Sequence, residues 1–432
     1  MIQYIKFKNF RSLTDVTFNL SGKNGIPKQL YILYGENGSG KSNFVSGFDF
    51  LIRTIHLFSM RKRINEFLDR DDFNEEKLKL IMEYFNISQM IQENKTIDST
   101  ENMSIEIGFR LSDKFGNYYI EFDNEQIVAE RLDFTINQNK GCYYSITSYG
   151  QDRINDSIFD EQYIKELELM ISKYWGKYSL LSIISDSEKE YSKEYVASLY
   201  NKSMKDILNY FRSIDTSFTE SRNRQFDNYY DNNLLRNLKS GDIDRNDLPI
   251  LERTGKVLSA YYTNLYKDIV EVNYKYTEAN DKIHYKLFIK KQLYDRTIDV
   301  DFSLESQGTK TLLNLLQPLL LSAAGRVAII DEIDNGIHDV LLKNLIKNIQ
   351  RNTIDGQLIF TTHNSLLIDE YDLREYIHFI DISDDYKKTI KAITDYNFRI
   401  QPGTRILSNY LQEKFIRLPW NNINFDLREF ID

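Results

Sequence analysis

The chain has 432 residues, 41 % hydrophobic and 28 % charged, enough for more than one domain with a sizeable core. Lys and Arg total 55 against 64 Asp and Glu, and a net charge of −9 disfavours indiscriminate binding to nucleic acid. The single cysteine, Cys142, excludes a disulfide framework and a cysteine-based zinc site, and the five histidines lack metal-ligand spacing.

The first forty residues predict three strands. Ile2 to Phe7 and Val16 to Leu20 alternate, and Gln29 to Tyr34 is a near-continuous apolar run suited to a strand buried on both faces. A glycine-rich loop follows, then a helix over Phe44 to Leu57. Residues 61–100 read as helical and strongly charged, with Arg61-Lys62-Arg63 at their start. Strand patterns return at Ser104 to Leu111, Tyr118 to Phe122, Ile127 to Thr135 and Cys142 to Ile146. Residues 151–264 change to amphipathic helix, with Phe159, Tyr163, Leu167, Met170 and Tyr174 at steps of three and four. The series Val196, Tyr200, Met204, Ile207 and Phe211 continues that spacing. This block holds 16 basic and 19 acidic residues and no sustained heptad, so it reads as a compact insertion rather than a coiled-coil arm. Asp215 to Asp247, rich in Asn, Asp, Ser and Arg, reads as a mobile loop.

Strands resume at Val270 to Tyr276, Ile283 to Ile289 and Ile298 to Phe302. A helix from Gly308 to Ala323, a strand at Val327 to Ile330, a helix at Val340 to Ile349 and a strand at Gln357 to Thr361 follow. Such alternation predicts a parallel sheet with helices on its faces. No apolar run reaches membrane-spanning length and the opening residues lack a signal-peptide core, so a cytoplasmic protein is expected.

Three segments carry chemistry. Gly35-Glu36-Asn37-Gly38-Ser39-Gly40-Lys41-Ser42 matches the phosphate-binding P-loop in full and stands between a buried strand and a helix. Its backbone N–H groups would wrap phosphates, Lys41 would reach the β- and γ-phosphates, and Ser42 would ligate Mg²⁺. Val327-Ala328-Ile329-Ile330-Asp331-Glu332 reads as a buried strand delivering two carboxylates at its C-terminal end. Asp331 is the expected Mg²⁺-shell acid and Glu332 the expected general base. Gln357 to Thr361 is a further strand, and His363 just beyond it could meet a γ-phosphate or the attacking water. A helix cap by Thr362 or Asn364, with His363 incidental, fits the same residues.

Together these motifs resemble the ABC-type ATPase heads of SMC and RecF proteins. Ile5-Lys6-Phe7-Lys8-Asn9-Phe10-Arg11-Ser12 ahead of the P-loop resembles the OLD-like and AAA-family ATPases of prokaryotic phage defence. The resemblance implies an α/β fold: a mixed sheet with flanking helices, an antiparallel β lobe and an inserted helical domain. It places the head in residues 1–60, 101–150 (the β lobe) and 265–432, with helical insertions at 61–100 and 151–264. It also implies a signature segment at Leu304-Glu305-Ser306-Gln307-Gly308-Thr309-Lys310, where Ser306 and Gly308 would face the γ-phosphate held by a second protomer. This departs from Leu-Ser-Gly-Gly-Gln toward the Ser-x-Gly-Thr-Lys form of defence ATPases. The same segment also reads as an ordinary N-capped helix. Ile333-Asp334-Asn335 resembles a D-loop in which Asp334 would couple two sites. Glu130 and Gln126 are candidates for the Q-loop, and Arg11 is a candidate nucleotide contact or an exposed turn residue.

The expected activity is ATP hydrolysis with Mg²⁺ by a head-to-head homodimer that switches a partner effector, a nuclease or toxin encoded nearby, in antiphage defence. A RecF-like DNA-repair ATPase is the alternative, with Arg61-Lys62-Arg63, Lys290-Lys291 and arginines 222 and 224 as its basic surface. Because 69 residues follow His363, no metal-dependent nuclease domain of the OLD kind is expected after it. Asp381, Asp384 and Asp385 read as a solvated loop, and Ser408 to Leu411, with Phe415 and Pro419 beyond, as a packing helix at the tail.

Overall fold

The structure is a computed structural model that describes residues 1–22, 24–68, 85–136, 139–150, 152–190, 193–217, 234–235, 237–279, 281–352, 355–383, 385, 387–396 and 406–416. Arginines 222 and 224, Asp384 and Pro419 lie outside them. The chain divides into two compact units: Met1–Arg222 with Leu321–Ile333 and Asn352–Asp432, and Asn223–Leu320 with Asp334–Arg351.

The first unit holds two sheets. Its antiparallel sheet contains β1 (Ile2–Phe10), β2 (Leu13–Asn19), β4 (Met103–Leu111), β5 (Lys114–Phe122), β6 (Ile127–Ile136), β7 (Asn139–Thr147) and the short β8 (Arg153–Ile154), in the order β2-β1-β4-β5-β6-β7-β8. The second sheet runs β17-β16-β3-β15-β14-β9, from β3 (Leu30–Gly35), β9 (Asp215–Ser217), β14 (Val327–Ile330), β15 (Gln357–Thr361), β16 (Ile377–Ile382) and β17 (Lys388–Ala392). Its strands are parallel except β17, which returns antiparallel along β16. Every residue of β3, β14 and β15 is buried. That is why their sequences read as continuous apolar runs rather than alternations.

Helix α1 (Lys41–Leu68) is buried around most of its first half. Its Phe44 ring lies 4.3 Å from Phe18 of β2 and 6.0 Å from Tyr31 of β3, so the helix fills the space between the sheets. Gln357, wholly buried at the start of β15, accepts from the Ile2 amide at 2.7 Å and donates to the Ile2 and Lys28 carbonyls. One amide side chain thus ties β1 to the segment that leads into β3.

The described part of 61–100 continues α1 to Leu68 and adds α2 (Ile87–Asn94), capped by the Asn86 side chain. The stretch 151–264, expected as one helical insertion, falls into both units. Helices α3 (Glu161–Tyr174), α4 (Leu180–Glu190), α5 (Lys193–Leu199) and α6 (Lys202–Arg212) share a single core with the antiparallel sheet. The spacing of Val196 to Phe211 spans a break: Asn201 caps α6 through the Met204 amide. Part of the expected mobile loop is sheet, since Asp215–Ser217 pair in parallel with β14. Its residues 218–233 lie outside the described ones.

The second unit is built on β10 (Ser240–Asp244), β11 (Ile269–Ala279), β12 (Lys282–Leu293) and β13 (Arg296–Asp301), with β12 paired to all three others. Helix α7 (Leu248–Leu265) packs on β11, and the unit also holds α9 (Asp339–Arg351) and the start of α8 (Gln307–Ala323). The remaining described helix, α10 (Ile406–Leu411) of the first unit, corresponds to the expected tail helix. Among the described residues no helix is long and apolar enough to cross a membrane.

Candidate functional site

Because β3, β15 and β14 are parallel neighbours, their C-terminal ends open on one edge of the sheet, where ligands bind in such folds. β3 ends in Gly35, β14 delivers Asp331 and Glu332, and β15 ends at Thr361 ahead of Thr362 and His363.

The loop from Gly35 turns tightly, with the Ser39 amide donating to the Glu36 carbonyl at 3.1 Å, and enters α1 through the Phe44 amide on Gly40. Gly40 has φ +114°, a conformation that strains any residue with a Cβ. The Lys41 ammonium is buried and donates to the carbonyls of Gly35 at 2.7 Å and Glu36 at 2.9 Å. The loop therefore folds around its own cation. Glu36 Oε1 and Ser39 Oγ are buried with no hydrogen-bond partner among the described residues. Burial raises the Glu36 carboxyl above its ordinary value, and Glu413 and Asp381 add to this. Asn37 and Gly38 are exposed at the tip.

Asp331 is buried, and its Oδ1 accepts from the Thr361 hydroxyl at 2.6 Å. Burial raises its pKa, while hydrogen bonds from Thr361 and Ser42 act against the shift. The next residue, Glu332, has φ +48°, a left-handed conformation costly for a residue with a side chain. Its amide donates to the same Thr361 hydroxyl at 2.7 Å. One hydroxyl on the neighbouring strand thus holds the carboxylate of Asp331 and the backbone of Glu332.

The tip of β15 is equally tied. The Thr362 amide donates to the Leu33 carbonyl, the Asn364 amide donates to Thr362 Oγ1 at 3.0 Å, and Tyr34 donates to the Asn364 carbonyl at 2.8 Å. Asn364 Oδ1 caps the short turn Ser365–Leu367. His363 stands exposed between these anchored residues.

Ser306, Gly308 and Asp334 belong to the second unit. Ser306 Oγ accepts from the Thr309 amide at 3.2 Å, capping α8. Glu305, buried just before it, pairs with Lys291 at 2.8 Å. A Cβ on Gly308 would come within 2.6 Å of the Gly336 carbonyl, so only glycine fits the helix start against this turn. The half-buried Asp334 opens that turn, its carbonyl accepting from the Ile337 amide.

Other candidates are occupied elsewhere. The wholly buried Glu130 accepts from the Leu180 and Leu181 amides, Tyr118, Tyr144 and Trp175, which makes it an internal tie between the antiparallel sheet and α4. Gln126 is exposed in a turn. Arg11 spends its Nε on Asn94 at 2.8 Å.

The donor set suits Mg²⁺. Ser42 and Asp331 offer hard oxygens of the kind that Mg²⁺ takes, and they lie within hydrogen-bond reach of each other. Thr361 is a site residue whose part the sequence did not announce. A polar residue closing an apolar strand was the only signal it gave.

A family described as "AAA domain, putative AbiEii toxin, Type IV TA system" matches residues 30–369. No curated protein matches the chain. Among solved structures, an SMC head bound to the C-terminal winged-helix domain of ScpA is 13 % identical with a TM-score of 0.43, covering 90 % of this chain and 97 % of that one. The SMC head domain from Thermotoga maritima is 15 % identical with a TM-score of 0.38, covering 90 % and 98 % respectively. An Smc head with an extended coiled coil, bound to the C-terminal domain of ScpA derived from Pyrococcus furiosus, is 14 % identical with a TM-score of 0.39, covering 91 % and 96 %.

Proposed function

Because the chain belongs to this AAA-domain family, with the P-loop inside the matched region, we propose that it binds and hydrolyses Mg²⁺–ATP and uses the cycle as a switch. The observation that carries the reading is the single strand edge joining Lys41, Ser42, Asp331 and Glu332, with Thr361 linking the last two.

In this reading the ammonium of Lys41 turns from the Gly35 and Glu36 carbonyls toward the β- and γ-phosphates. Ser42 and Asp331 would hold Mg²⁺, which would supply charge neutralisation on the phosphate oxygens. Glu332 accepts a proton from the attacking water, and His363 lies on the adjacent strand end to meet the γ-phosphate or that water.

The signature and D-loop parts need a second copy. Ser306, Gly308 and Asp334 would complete the partner's site, in a two-fold arrangement that ATP closes and hydrolysis opens. The switch would gate a protein effector in phage defence. Mass measured by light scattering tests this on Glu332→Gln protein. A monomer that doubles only with Mg²⁺–ATP is expected, and a mass indifferent to ATP refutes the switch.

Among the described residues of the basic runs, nothing favours the DNA-repair alternative. Lys290 is paired with Glu271 at 3.0 Å and Lys291 with Glu305 at 2.8 Å, so their charge is locally neutralised. Arg61 donates to the Tyr178 hydroxyl, and the side chains of Lys62 and Arg63 lie outside the described ones.

A further inference from the structure

Lys388 opens β17, the antiparallel edge strand beside β16. Its amine lies against the P-loop: a Cβ placed on Gly40 would be 2.9 Å from Lys388 Nζ. The amine donates to the Ser12 hydroxyl in the turn between β1 and β2. Asn43, in the first turn of α1, donates to the same oxygen. Three segments far apart in sequence thus meet on the flank of the phosphate loop.

Several lysines of the chain have counter-ions that the amine at this place lacks among the described residues. Lys6, Lys8, Lys275, Lys286, Lys290 and Lys291 each face a carboxylate. Lys388 is half-buried, and among the described residues no carboxylate pairs with it. Its loss of water lowers its pKa. A partly desolvated cation is stabilised by an anion arriving beside it. The anion-binding loop is its immediate neighbour.

We propose that Lys388, oriented by Ser12, is a second cationic contact to the phosphates of a nucleotide held by residues 35–42. The proposal rests on that P-loop reading. Lys41 serves the β- and γ-phosphates, whereas Gly40 and Asn43 flank the amides that cradle the α- and β-phosphates. Lys388 therefore acts on the part of the ligand that ATP and ADP share.

Calorimetric titration of ATP and ADP, each with Mg²⁺, into wild-type, Lys388→Met, Lys388→Arg, Ser12→Asp and Lys41→Ala protein tests this. Loss of one charge-assisted contact predicts about tenfold weaker binding of both nucleotides to Lys388→Met. Lys388→Arg should recover most of the affinity. Ser12→Asp, an exposed change that sets a carboxylate beside the amine, should weaken both nucleotides with the unliganded melting temperature unchanged. It keeps the test open if Lys388→Met folds poorly. The proposal fails if Lys388→Met and Ser12→Asp bind like wild type while Lys41→Ala does not. A loss confined to ATP also overturns it, because that assigns the effect to the γ-phosphate. Wild-type protein that binds neither nucleotide overturns the underlying P-loop reading together with it.

Discussion

The Thr361 hydroxyl stands 2.6 Å from Asp331 Oδ1 while accepting the Glu332 amide at 2.7 Å. A single side chain on β15 therefore holds both the Asp331 carboxylate and the left-handed backbone of Glu332. Thr361→Val keeps the shape and removes the hydroxyl. Mg²⁺–ATP should still bind, with turnover reduced on the order of ten- to a hundredfold, as for other outer-shell partners. Thr361→Ser should restore turnover. Steady-state phosphate release beside nucleotide titration measures the split, and an unaltered rate for Thr361→Val would show that the link is incidental.

Asp331 couples stability to function. Burial raises its pKa, so the fold carries a charged group at a cost whenever the pH exceeds the folded-state value. The contribution favouring the fold is complete below the ordinary carboxylate value and is lost as pH rises through the raised one. Asp331→Asn should therefore melt higher than wild type at pH 8, with the gain shrinking at acid pH, and should lose Mg²⁺-dependent ATP binding. Melting curves at both pH values decide it. A variant less stable than wild type at pH 8 contradicts the sign.

Gly308 has no room for a methyl group, its Cβ position being 2.6 Å from the Gly336 carbonyl. Gly308→Ala should destabilise the second unit by about 1–3 kcal/mol, the range for overpacking. ATP-dependent pairing should fall, with nucleotide affinity of the monomer kept. Denaturant melts and scattering mass with ATP check both halves. Normal pairing in a folded Gly308→Ala protein would remove Gly308 from the interface role.

His378 stacks on Tyr31 at 4.0 Å, and burial, followed by the nearby Lys28, holds its pKa down at about 3. A histidine kept neutral in the fold lowers stability once the pH drops below its unfolded value near 6.5. His378→Phe should flatten the loss of stability between pH 6.5 and pH 4. Equal slopes for the two proteins would assign that loss to other groups.

Much of the fold was legible because burial on both faces leaves a plain mark. Gln29 to Tyr34, Val327 to Ile330 and Gln357 to Thr361 read as strands from their apolar runs, and the P-loop and Asp331-Glu332 follow at their ends. Strand β9, three residues of Asp-Thr-Ser, carries no period, so its place beside β14 was invisible. The break at Asn201 was masked because the apolar spacing continues through its cap. Thr361 and Lys388 act through neighbours distant in sequence, and only the strand order brings those neighbours together. Glu130 was misplaced for the opposite reason: a lone acid near a strand end looks functional until its five donors are seen.

The central claim is that this strand edge hydrolyses ATP with Glu332 as the base. Phosphate release from Mg²⁺–ATP by wild-type and Glu332→Gln protein tests it most directly, with ATP binding followed on the same samples. The account predicts turnover by the wild type and none by Glu332→Gln, both binding ATP. Equal turnover by the two proteins, or none by a wild type saturated with ATP, would contradict it.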